Sequence, residues 1–133
     1  MKAVELRVGE GRSTLEARDG YLLVTELADV RTPEDMRRWL GEIDRFASAR
    51  NLERVVFDAR HDSSEPMPGV REARWEHSDR APVLKIIAVV LPNELASARV
   101  NMTVLARKTA ARLRAFATIE DAAAWALSVQ PRR

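Results

Sequence analysis

The chain has 133 residues, 46% of them hydrophobic and 32% charged, with a formal net charge of +2. That balance argues against a disordered chain and fits one folded domain over 1–133. Cysteine is absent, which removes disulfides, thiolate metal sites and thiol nucleophiles.

The opening MKAVELRVGEG interrupts its apolar positions with Glu5, Arg7 and Glu10, unlike a signal peptide. Val4, Leu6 and Val8 alternate with polar residues, the GEG sequence turns the chain, and Asp19-Gly20 marks a hairpin before the strand Tyr21 to Leu27. These segments form a two- or three-stranded antiparallel entry to a sheet. Thr32-Pro33-Glu34-Asp35 then reads as a helix start, with Thr32 as N-cap and acids in the first turn. Met36, Trp39, Leu40, Ile43, Phe46 and Ala47 follow at helical spacing, giving an amphipathic helix to about Arg50-Asn51.

Leu52 to Asp58 is the next strand, followed by the polar loop Arg60 to Ser64, the stiff insert EPMPG (Glu65 to Gly69) and a short helix from Val70 to Asp79. Val83 to Leu91 is almost wholly apolar, as a central parallel strand covered on both faces requires. Its longest apolar run, Ile86 to Leu91, is too short to span a bilayer. Pro92-Asn93-Glu94 opens a helix with Leu95, Ala98, Met102 and Leu105 on one face, and Arg112 to Ala117 is a short strand. Thr118 caps a last helix through Trp125 and Leu127, and Gln130 to Arg133 reads as a frayed tail. Helices between successive strands demand right-handed crossovers. The expected fold is α/β, with a mixed, largely parallel sheet of four to five strands, about four helices and an antiparallel N-terminal hairpin.

Charge is unevenly spread. From Arg99 to Arg133 seven bases face two acids, Glu120 and Asp121. An anionic partner would suit this segment, although arginines also simply keep an apolar stretch soluble. With aromatics at 5% and no basic run interleaved with stacking residues, nucleic acid is not the expected partner.

The succession ERVVFDAR, REARWEHSD, LKIIAVVLP, VNMTVLAR, RLRAF and EDAAAWAL resembles the SpoIIAA-like group of single-domain STAS proteins over about 20–127. Its anchors are Pro92 after the apolar strand, Arg114 to Phe116, and Ala124-Trp125. The resemblance implies a STAS/SpoIIAA-like fold and a bacterial, non-enzymatic role in signalling regulation through protein–protein interaction, and the lack of a signal-peptide pattern or a bilayer-spanning run makes the cytoplasm the expected compartment. It also implies that Ser63 or Ser64 in Asp62-Ser63-Ser64 is a phosphoacceptor at the start of the following helix. Glu65 stands where that family has glycine and adds a charge beside the prospective phosphate. Asp62 or Ser64 as a helix cap or turn residue is the competing reading.

The expected contact surface is the loop and short helix 60–75, with Arg60, His61, Asp62, Arg71, Arg74 and Trp75 touching a protein partner or ligand. Trp75 is the only large apolar residue in REARWEHSD, the pattern of an interaction anchor. A pocket for a small ligand, a lipid or nucleotide, is the alternative. A reaction centre built from His61, Asp62 and His77 is a third reading, but the chain has no HExxH, GxSxG or GxGxxG. No cofactor, metal or catalytic residue is therefore expected. Self-association through an edge strand or the Trp75 surface is a further expectation.

Overall fold

The computed structural model describes residues 2–61 and 68–132. Six strands, β1 (Val4–Val8), β2 (Gly11–Arg18), β3 (Tyr21–Ala28), β4 (Arg54–Asp58), β5 (Ile86–Val90) and β6 (Arg112–Phe116), form one sheet in sequence order. The first two pairings are antiparallel and the remaining three parallel. The sheet thus has six strands where four to five were expected, because both halves of the N-terminal ribbon pair fully. Gly9 makes the first turn possible: its φ is +57°, and a Cβ there would lie 2.2 Å from Asp35 Oδ2.

Four helices, α1 (Pro33–Ser48), α2 (Val70–Arg80), α3 (Glu94–Ala106) and α4 (Ile119–Ser128), connect or close the strands. Among the described residues no helix is long and apolar enough to cross a membrane. Thr32 caps α1 as expected, accepting a hydrogen bond from the Asp35 N–H at 3.1 Å, with Pro33 in the first turn. Strand alternation divides the core into two layers. Leu22, Val24, Val55, Phe57 and Ile87 face α1 and α2, whereas Leu23, Val56, Ile86, Ala88 and Val90 face α4. Trp39 anchors the first layer, its Nε1–H donating to buried Ser13 Oγ at 2.9 Å.

Two helices dock by polar contacts rather than apolar stripes. Helix α2 buries only Val70, Ala73 and Ser78, so charge pairs do most of the holding. Arg74 donates to both carboxylate oxygens of Glu26 at 2.8 Å, and His77 Nε2 lies 2.7 Å from Asp44 Oδ2 on α1. Helix α3 sits at the β6 edge. Its Asn101 amide accepts from the Ala115 N–H at 2.7 Å and donates to the Ala115 carbonyl at 3.1 Å, standing in for a further strand. Leu95, Ala98, Met102 and Leu105 do share a face, but it turns to solvent, with Leu95, Met102 and Leu105 62%, 71% and 88% exposed. The side of α3 toward the sheet carries Ser97, Val100, Asn101 and Val104.

Candidate functional site

The small inner face of α3 leaves Val89 and Leu113 of the sheet incompletely covered. Between α2, the sheet and α3 lies a cavity of about 190 Å³, walled by Phe57, Ile87, Val89 and Leu113 from the strands, Trp75 from α2 and Val100 from α3. Leu113 and Val89 are therefore only partly buried, although they point inward like core residues. The expectation that Val83 to Leu91 is covered on both faces holds for the strand β5 except at Val89, which is only partly buried at this groove.

The polar groups bordering the groove are already committed. Arg74, sandwiched near the rings of Phe57 and Trp39 at 4.7 and 5.3 Å, is bound to Glu26. Burial works against its charge, and the Glu26 carboxylate overrides that, holding the guanidinium pKa above its ordinary value. His77 is paired with Asp44, Ser78 Oγ donates to the Arg74 carbonyl at 3.4 Å, and Arg71, exposed on α2, also has an interaction. Trp75 is half-buried rather than an isolated surface aromatic. The Arg107 guanidinium lies 5.4 Å from its ring centre while binding Asp79 at 2.7 Å and Glu72 at 2.8 Å, which ties the C-terminal end of α3 to α2.

The residues singled out in the sequence separate into three groups. Arg71, Arg74, Trp75 and His77 border the groove. Arg60 does not: it reaches back to Asp58 at the end of β4, with Nε–H to Oδ1 at 2.9 Å and Nη2–H to Oδ2 at 3.1 Å. Asp58 alternates with Phe57 and so belongs to the α4 side of the sheet. His61 is exposed beside it, and Asp62, Ser63 and Ser64 lie outside the described residues. Helix α2 begins at Val70 with Gly69 as N-cap, at φ +89° and with no side-chain cap. The serines thus precede the observed helix start by several residues, and neither Asp62 nor Ser64 is its N-cap. Among the described residues, no three His, Asp or Glu side chains come together to hold a metal ion.

Val100, Ile87, Val89 and Leu113 were not read as site residues. The available signal was the pairing of an all-apolar strand with a helix whose inward stripe, Ser97, Val100, Asn101 and Val104, is too small to cover it.

The Asp58–Arg60 pair carries a pH dependence. Burial of Asp58 acts to raise its pKa, but the Arg60 side chain and N–H, with His61, outweigh it and hold the carboxyl below its ordinary range. A depressed folded-state pKa adds stability at pH above the unfolded aspartate value, and that contribution disappears as pH falls through the lowered folded value. Arg60→Gln is expected to move the acid-side loss of stability to higher pH, read as urea midpoints across a pH series. Superimposable profiles for the variant and the wild type would show that Arg60 does not hold Asp58 charged.

The architecture is similar to that of a solved structure described as an uncharacterized protein from the DUF3478 family with a SpoIIAA-like fold, from Shewanella loihica PV-4. Identity is 12%, the match covers 94% of this chain and 92% of that one, and the TM-score is 0.58. The chain has a SpoIIAA-like fold, as the resemblance implied. No protein-family model matches it, and no curated protein does.

Proposed function

We propose that this SpoIIAA-like chain is a non-enzymatic binding module that takes an apolar side chain of a protein partner into the groove between α2 and α3. The observation that carries this reading is the apolar cavity beside Trp75, at which Val89 and Leu113 are only partly buried. At about 190 Å³, the cavity is smaller than the ~300–1,000 Å³ usual for small-molecule sites. It matches the kind of pocket that receives one anchor residue of a partner. Arg74 and Ser78 are already bound to Glu26 and to the Arg74 carbonyl, and among the described residues no nucleophile is hydrogen-bonded to His77, whose Nε2 faces Asp44.

A small apolar ligand is the second reading, favoured by the same lining, since a groove whose polar neighbours are already paired suits an uncharged guest. Affinity purification with wild type, Trp75→Ala and Val100→Trp separates the two. Val100→Trp fills the groove from its α3 wall, and thermal melting checks that it still folds. A specific protein captured by wild type and lost from both variants is the expected result. An unchanged set of captured proteins overturns the partner reading. A stoichiometric apolar compound in organic extracts of wild type, absent from Val100→Trp, assigns the groove to the ligand instead.

A further inference from the structure

A second groove, which shares the Leu113 wall with the first but is independent of the function proposed for it, runs along the outer edge of β6. It has a volume of about 310 Å³ and brings Arg112, Arg114 and Arg132 together with Leu105, Leu113 and Trp125. Two arginines of β6 and one from beyond α4 thus share one concave strip, and among the described residues no acidic one lines it. Arg114 stacks over Phe116 at 5.3 Å and also borders the neighbouring hollow that holds Glu94 and Asp121. Its charge is partly offset. Arg112 and Arg132 have no ion pair among the described residues.

The backbone of this edge is half used. In a parallel strand alternate residues turn their N–H and C=O to opposite sides. Arg112 N–H donates to the Lys85 carbonyl and the Phe116 carbonyl accepts from the Leu91 N–H, both toward β5. Ala115 therefore points outward, where Asn101 satisfies it. Leu113, two residues earlier, presents its N–H and C=O to the same outward side, within the groove. An apolar shelf lies beside it in Leu105, which is 88% exposed.

We propose that this groove docks an extended acidic segment of a partner protein, which pairs with the β6 backbone at Leu113 and sets its carboxylates against Arg112 and Arg132. Addition of a strand to an exposed edge supplies main-chain hydrogen bonds, and side chains of alternate residues supply the specificity. In an extended segment one row of carboxylates meets the arginines while the opposite row meets Leu105. Single-stranded nucleic acid would also meet the charge, but it needs free aromatic faces. The aromatic ring of the groove, Trp125, is packed against Phe116 with centroids 5.7 Å apart.

The test is fluorescence anisotropy with a labelled peptide of alternating glutamate and valine. Wild type is expected to bind it, and Arg112→Glu/Arg132→Glu to weaken it by on the order of tenfold or more, as close charge pairs at interfaces do. Both arginines are at the surface, and a thermal melt confirms that the double variant folds. A lysine–valine peptide is expected to ignore wild type and bind the double variant. Interrupting the glutamate peptide with proline keeps its charge and removes a pairing N–H, so its binding is expected to fall. Equal binding of the proline version overturns strand docking, and no binding of the glutamate–valine peptide overturns the proposal altogether. A labelled oligothymidine that binds more tightly and responds to the same arginines assigns the groove to nucleic acid and also overturns it.

Discussion

Arg74→Ala is expected to lower folding stability by about 3 kcal/mol, the low end of the range for removing one partner of a buried ion pair, since the Glu26 side chain is buried but that of Arg74 is 27% exposed. The cause is what the substitution leaves behind. Glu26, whose side chain is 5% exposed, stays under α2 and loses both guanidinium contacts. The aromatic faces of Phe57 and Trp39 also lose the cation beside them. For a domain with a typical ~5–15 kcal/mol in total, this is a large fraction. The double replacement Glu26→Leu/Arg74→Met is expected to recover most of the loss, since exchanging a buried pair for apolar residues of similar volume is often neutral. Urea unfolding measures both. A loss below about 1 kcal/mol for Arg74→Ala would mean that water screens the pair as it does a surface salt bridge.

Trp39→Ala is expected to cost a similar ~3–5 kcal/mol, through the cavity it opens in the layer between α1 and the sheet. Trp39 is 4% exposed, sits 5.7 Å from the Phe57 ring and donates to Ser13, itself 1% exposed. Trp39→Phe keeps most of the apolar body and orphans the serine hydroxyl, so about 1–3 kcal/mol is expected from the unmet hydrogen bond. Because Arg74 lies against the same ring, Trp39→Ala and Arg74→Ala are expected not to add. Equal losses for the alanine and phenylalanine variants would assign the effect to the hydrogen bond rather than to packing.

Local signals made much of the fold legible. Thr32-Pro33 marks the start of α1, the stripe Met36, Trp39, Leu40, Ile43 and Ala47 is its buried face, and the apolar run containing Ile86–Val90 is a central strand. What remained hidden depends on distant partners. Periodicity shows that Leu95, Met102 and Leu105 share a face of α3 but not that the face turns outward, because that follows from Asn101 bonding to Ala115 across the β6 edge. In the same way, Arg74 and Arg60 look alike in the sequence as exposed bases. One meets Glu26 and holds α2 over the groove; the other meets Asp58 on the opposite side. Trp75 was legible as an unusual residue, and its neighbours Val89, Val100 and Leu113 were not, since each reads as an ordinary core position.

The groove reading is tested most directly by placing a photo-crosslinking side chain at Val100 in the native cell, with a control at Arg45 on the exposed side of α1. A discrete adduct with another protein from position 100 and none from position 45 is the predicted result. Adducts of equal yield from both positions, or none from position 100, would contradict a partner seated between α2 and α3.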